Sequence, residues 1–218
     1  MKKHLFITFL LLSNTFAFAQ YELKGVMGIY FVSIPSMQDY INQSGLASNN
    51  QLSSFVSSVM FAGEAGIFIS PDFETTLEVA YQLYSYTNGS TEGQYELIFS
   101  NLMPTVFAYY VLAGTGYNFK FGGGLGARFI NVDESLPATG LTTTYNSVGY
   151  GIVGRVEGNT LLGGSIYANI GADIRYDVNG EPENSGTPLH NNLQKENVNF
   201  NAFSVGVRLG ITYIIGGG

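Results

Sequence analysis

Alternation of side-chain character at period two recurs along nearly the whole chain after residue 20, and this constrains the fold more than any other feature. Near the C-terminus Phe203, Val205, Val207, Leu209, Ile211, Tyr213 and Ile215 share one face, against Ala202, Ser204, Gly206, Arg208, Gly210, Thr212 and Ile214 on the other. Tyr117, Phe119, Phe121, Leu125 and Phe129 oppose Asn118, Lys120, Gly122, Gly124, Gly126 and Arg128 in the same way, and Ile166, Ile170, Ile174 and Tyr176 oppose Ser165, Tyr167, Asn169, Asp173 and Arg175. Successive side chains of a strand point to opposite faces of a sheet, so the pattern predicts strands with two unlike faces. Eight candidates fall near 21–33, 54–70, 72–87, 94–111, 116–132, 144–157, 163–178 and 198–215. Pro104 interrupts the fourth, where a bulge or kink is expected.

The connections alternate in length. Tight turns are expected at Ser70-Pro71-Asp72, Ala113-Gly114-Thr115 and Gly158-Asn159-Thr160, whereas 35–53, 88–93, 133–143 and 179–197 read as longer polar loops. Each strand exceeds the roughly 9–11 residues that a tilted strand needs to cross hydrocarbon. Charged residues make up only 11% of the chain, against about 25% in soluble domains, and no apolar run after residue 20 could form a spanning helix. A closed barrel is the other structure that satisfies its backbone in lipid. The expected fold is therefore all-β: an eight-stranded antiparallel up-and-down transmembrane β-barrel, with short periplasmic turns, longer external loops and both termini periplasmic.

The first residues agree with export. Met1-Lys2-Lys3-His4, the apolar stretch 5–12 and Ala17-Phe18-Ala19 have the form of a cleavable signal peptide over 1–19, leaving a barrel domain over 20–218. Removing Lys2 and Lys3 from nine basic residues leaves seven against sixteen acidic ones, a formal charge of −9. That balance argues against nucleic acid as a partner, because phosphate binding needs clustered Lys and Arg. The chain has no cysteine, hence no disulfide and no thiolate metal site.

The bulky apolar face is uninterrupted, and the second face is too small and too sparsely charged to be a soluble exterior. The apolar face is thus expected to meet lipid, with Tyr21, Tyr30, Tyr109, Tyr110, Tyr117, Tyr176 and Tyr213 as candidates for interfacial girdles. Carrying the period through all strands turns a luminal charge network inward: Glu64, Glu74, Glu78 and Asp173, with Lys24, Lys120, Arg128, Arg155, Arg175 and Arg208. Acid gathers on the second and third strands and base mainly on the fifth to eighth, across a space that side chains can fill. Counted from the expected turns, Glu64, Glu74, Glu78, Lys120, Arg155 and Arg208 lie in the periplasmic half, and Arg128, Asp173 and Arg175 nearer the outer half. A salt-bridged plug is expected, including a Glu78–Arg208 pair, because a buried charge left alone costs several kcal/mol.

Little else in the chain points to chemistry. His190 is the sole histidine after residue 19 and sits in the Pro- and Asn-rich stretch 180–192 with Glu183 and Ser185, a loop poorly suited to general-base work. The run Gly122-Gly123-Gly124-Leu125-Gly126 is strand glycine rather than a nucleotide fingerprint, since no helix follows it. Asp133, Glu134, Asp177, Glu181 and Glu183 read as loop acids, solvated or attracting calcium or the cations that bridge lipopolysaccharide. The Asn/Ser-rich stretch 42–54 reads as a flexible surface loop. No cofactor is expected.

With Ala17-Phe18-Ala19-Gln20, the strand FKFGGGLGAR from Phe119 to Arg128, and the final strand from Phe203 to Ile215, the chain resembles the OmpA/OmpX-like small outer-membrane barrels, and most of all the porin-family outer-membrane β-barrel proteins of Bacteroidota-type bacteria. The resemblance covers the mature chain and implies a Gram-negative outer membrane, with outer-membrane lipid, lipopolysaccharide and the barrel assembly machinery as partners. It carries over no catalytic residue. It departs at the end, where such barrels usually finish on an aromatic residue but here Tyr213 is followed by Ile214-Ile215-Gly216-Gly217-Gly218. The expected role is non-enzymatic, either structural or the presentation of loops to an extracellular partner. A narrow channel for ions or small solutes, gated by the luminal charges, is the alternative, and a lipid-modifying envelope enzyme comes third.

Overall fold

A computed structural model describes residues 20–43, 51–90, 93–137 and 141–216. The signal-peptide reading over 1–19 and part of the first loop lie outside the described residues. Eight long strands build the fold: β1 (Tyr21–Ser33), β2 (Val56–Ser70), β3 (Phe73–Ser90), β4 (Gly93–Gly114), β5 (Tyr117–Ser135), β6 (Thr142–Gly163), β7 (Ile166–Asn179) and β12 (Ala202–Ile215). The two-residue pieces β8 (Glu183–Asn184), β9 (Thr187–Pro188), β10 (His190–Asn191) and β11 (Glu196–Asn197) lie between β7 and β12. Every long strand pairs antiparallel with its neighbours, β12 pairs with β1, and β5 pairs with β6, so the sheet closes on itself.

The register fixes the geometry of the ring. Following paired residues around it from Leu23 through Ala65, Leu77, Val106, Leu125, Ile152, Tyr176 and Phe203 returns to β1 at Ser33, ten residues above the start. A shear of ten on eight strands tilts them by about 40° from the barrel axis. These side chains lie on the outward face, and the belt they belong to is apolar, with Leu125 68% exposed, Ile170 63% and Leu209 60%. The short turns mark the periplasmic end, as in outer-membrane barrels generally.

Three expectations are corrected here. Pro104 causes no bulge: Leu102↔Phe129 and Thr105↔Gly126 keep one register across it, and the register shifts fall at Phe68/Ser70 and Leu161/Gly163, beside short turns. The third tight turn is not at 158–160, because β6 runs on to Gly163 and turns at Gly164, whose φ of 57° suits a residue without Cβ. Tyr30 and Tyr109 are not girdle residues. They lie 0% and 1% exposed inside the barrel, while Tyr21, Tyr110, Tyr117, Tyr176 and Tyr213 do face outward.

The stretch expected as a loop after β1 begins with a helix, α1 (Pro35–Gln43), opened by a proline at its first position. Its apolar spacing Met37, Tyr40, Ile41 buries one face in the outer mouth of the barrel, against Val32, Leu52, Val56, Leu97, Val132, Leu189, Val198 and Phe200. Asn42 donates to the Leu52 carbonyl (3.0 Å) and accepts from the Leu52 N–H (2.7 Å), tying the far side of the first loop to the helix.

Candidate functional site

The interior is layered from the periplasmic end outward. Lowest is an amide ladder: Asn159 donates to Asn118 (2.7 Å), Asn169 donates to Asn159 (2.9 Å), and the Thr212 hydroxyl donates to Asn159 (3.0 Å). The three asparagines are register partners on β5, β6 and β7, so the ladder follows directly from strand pairing.

Above it, two lysines sit among glutamates. Lys120 Nζ lies 2.6 Å from Glu22 and 2.5 Å from Glu74, and Lys24 Nζ contacts Glu157, Glu22 (3.2 Å) and Glu64 (3.2 Å). Carboxylate oxygens of Glu22, Glu64 and Glu157 approach one another within 4.8 Å, a spacing that could hold a metal ion. The Lys24 ammonium contacts all three and so fills the place of that cation.

The next layer centres on Arg155. Its guanidinium makes two hydrogen bonds to Asp173 (2.8 and 3.0 Å) and two to Glu78 (2.8 and 3.0 Å), and further bonds to Glu64 (3.1 Å) and the Tyr109 hydroxyl (3.0 Å). It also lies 4.0 Å from the Phe107 ring centroid, a cation–π contact away from water. Arg208 donates to Glu78 at 2.7 Å. Arg175 bonds Asp173 (3.1 Å), stacks on Tyr30 (4.8 Å) and points its remaining Nη donors at the sulfurs of Met103 and Met60, both at 3.2 Å. Arg128 pairs separately with Asp177 (2.5 Å). Above this layer the lumen turns apolar and ends under α1.

Glycine makes room for these groups. A Cβ on Gly206 would strike the ring of Tyr30, one on Gly124 that of Phe107, and one on Gly122 that of Tyr109. Each aromatic is the direct cross-strand partner of its glycine, so the ring lies flat over the bare backbone.

All ten luminal residues named from the sequence lie inside the barrel and are at most 5% exposed. Nine of them join one cluster, and Arg128 stands apart with Asp177. Their expected split into halves is not what the structure shows, because Asp173 is the register partner of Arg155 and the two occupy adjoining depths. The reason is the displaced turn: placing it at 158–160 rather than at Gly164 set Arg155 too near the periplasm. Sequence reading missed Glu22 and Glu157, which a strict two-residue step from Lys24 and Arg155 would have found, and assigned Asp177 and Glu134 to solvated loops although both are buried.

Glu134 belongs to the outer rim, above the apolar belt, where its neighbour Asp133 faces outward and accepts from Thr144 (2.6 Å). Glu134 Oε1 accepts from Tyr40 on α1 (2.7 Å) and from Tyr95 on β4 (3.0 Å). Burial pushes this carboxyl above the usual range, opposed by the two tyrosine hydrogen bonds. His190 is exposed and its ring pairs with Asn197 (2.9 Å) rather than with Ser185. Asn197 also donates to Glu181 (2.7 Å), so these polar groups brace a loop.

A closed ring of eight antiparallel strands, apolar outside, polar within and tightly turned at one end, is the fold of small outer-membrane β-barrels. Comparison with solved structures agrees. Ail, the attachment invasion locus protein of Yersinia pestis, is 10% identical with a TM-score of 0.53, over 90% of this chain and 99% of its own. A major outer membrane protein of Thermus thermophilus is 13% identical with a TM-score of 0.53 over the same shares, and the outer membrane protein OprG of Pseudomonas aeruginosa is 11% identical with a TM-score of 0.51, over 91% and 97%. No family model matches the chain, and no curated protein is significantly similar in sequence.

Proposed function

We propose that this protein, after loss of residues 1–19, is a non-conducting and non-enzymatic barrel that serves the envelope structurally or through its outer rim. The observation that carries this reading is the lumen, closed in series by the amide ladder, the ion-pair cage and the apolar cap under α1. A side-chain-filled barrel of eight strands leaves no aqueous path of the kind seen in larger porins. Its outward belt meets lipid, and the rim is the part left free to meet lipopolysaccharide or an extracellular partner.

The chemistry of the rim narrows that partner. Asp39, Glu181, Glu183 and Glu196 are exposed there, with Lys195 as the neighbouring cation. Ail has been crystallised with the heparin analogue sucrose octasulfate. An acidic rim repels such polyanions, so a neutral or basic partner suits this chain better.

The test is ionic conductance of the refolded protein in a planar lipid bilayer. Stable insertion without conductance is expected. Discrete, charge-selective steps would refute the reading and make the luminal charges the lining of a narrow channel.

A further inference from the structure

The contiguous ion-pair cage does not balance. Among the described residues it holds six carboxylates (Glu22, Glu64, Glu74, Glu78, Glu157 and Asp173) against five cations (Lys24, Lys120, Arg155, Arg175 and Arg208). Arg128 cannot make up the difference, because Asp177 already takes its charge. Every member is at most 5% exposed, and an uncompensated buried charge costs several kcal/mol.

The atoms without hydrogen-bond partners show where the imbalance lies. In the arginine layer and above, the orphaned charged groups are donors: Arg128 Nη2, Arg175 Nε, and Arg208 Nε and Nη2. In the lysine layer they are acceptors: Glu22 Oε1, Glu74 Oε1 and Oε2, and Glu157 Oε2, joined by the neutral oxygens of Thr76 and Asn169. Two of these do have an ammonium nearby, since Glu22 Oε1 is 3.2 Å from Lys24 and Glu74 Oε2 is 2.5 Å from Lys120. Glu74 Oε1 and Glu157 Oε2 have no hydrogen-bond partner among the described residues. Glu74 is also the carboxylate of this layer with a single cation partner, whereas Glu22 and Glu157 each contact both lysines.

We infer that the lysine layer is a binding site for one further small monocation, a proton or an alkali-metal ion, centred on Glu74. The surroundings of Glu74 set the size limit. Its Oε1 packs so closely over Gly66 that a Cβ there would collide with it, and its side chain is shielded from solvent, 1% exposed. The charged and titratable groups around it are Glu22 and Lys24 on β1, Glu64 on β2, Tyr109 on β4, Lys120 on β5 and Glu157 on β6. One positive charge makes this set neutral with the rest of the cage. A divalent ion would leave it positive.

Refolded full-length protein in lipid vesicles tests this by its thermal unfolding midpoint. The midpoint is followed around neutral pH in choline chloride, and again with sodium or potassium replacing choline at fixed ionic strength. Wild type is expected to respond to pH if the occupant is a proton, or to the alkali ion if it is a metal. Glu74→Gln, which removes the surplus charge and keeps the shape, loses that response, while Glu183→Gln on the exposed loop keeps it. Should Glu74→Gln fail to fold, Glu22→Gln removes the same charge. A wild type indifferent to both pH and alkali ion means that the orphaned oxygens hold only water, and overturns the inference. So does a response that survives unchanged in the folded glutamine variants.

Discussion

Replacing Arg155 with methionine is the sharpest test of the cage. The substitution keeps much of the side-chain volume but removes a guanidinium that serves two carboxylates bidentately and bonds Glu64 and Tyr109 besides. Glu78 retains Arg208 at 2.7 Å, and Asp173 retains Arg175 at 3.1 Å, so neither is left wholly alone. Breaking a buried ion pair on one side costs about 3–5 kcal/mol, and the surviving partners put Arg155→Met toward the lower end. At about 1.4 kcal/mol per tenfold change, even 3 kcal/mol shifts the folding equilibrium by roughly a hundredfold. The chain has no tryptophan, so urea unfolding of the refolded barrel is read by tyrosine fluorescence and by the gel mobility of folded against unfolded protein. The double variant Arg155→Met/Asp173→Asn removes one charge of each sign and is expected to be less destabilised than the two single changes added together. A loss below about 1 kcal/mol for Arg155→Met, or strict additivity in the double variant, refutes the view that these groups act as one paired network.

Two further outcomes follow from the outer surface and the rim. Leu125→Arg places a charge on the lipid face of β5 and is expected to cost about 2–4 kcal/mol in the same unfolding assay; a neutral result would mean that this face does not meet hydrocarbon. At the outer mouth, burial makes Glu134 hold its proton to higher pH than it would with α1 swung away, so closure is strongest below the ordinary carboxylate range and weakens as pH rises through the raised value. Amide exchange of α1 should accordingly speed up with pH beyond its intrinsic base catalysis, and Glu134→Gln should abolish that excess; exchange that slows relative to the intrinsic rate as pH rises refutes it.

The barrel is legible in the sequence because one face of each strand meets a uniform solvent, lipid, which imposes an unbroken apolar stripe. The inward charges are legible for the same reason, since alternation leaves them nowhere else to point. Positions set by turns rather than by faces are the ones that escape. Nothing in Gly158-Asn159-Thr160 distinguishes a turn from a strand whose asparagine is needed in a ladder, and misplacing it shifts the depth of Arg155. Tyr30 and Tyr109 mislead because a tyrosine near a strand end suits a girdle, and only the bare glycine opposite each shows that a ring lies inward. The helix leaves a signal in Met37, Tyr40 and Ile41, three and four residues apart, but nine residues after a strand are easily taken for loop. That Glu134 is covered depends on this helix folding back, a contact across 94 residues that no local pattern encodes.

The reach of the cage contacts has a consequence for how the molecule assembles. Lys24 on the first strand finds Glu157 on the sixth, 133 positions away, and Arg208 on the last finds Glu78 on the third, 130 positions away. Neither contact exists within any hairpin or any run of neighbouring hairpins laid flat. The chain therefore gains this part of its stability only when its two ends meet, so a half-zipped sheet has little to hold it and a ring missing its last strand keeps Glu78 short of a partner. Cooperativity is written into the circumference: pairs across neighbouring strands such as Arg155 and Asp173 can form early, but the cross-barrel pairs reward only completion.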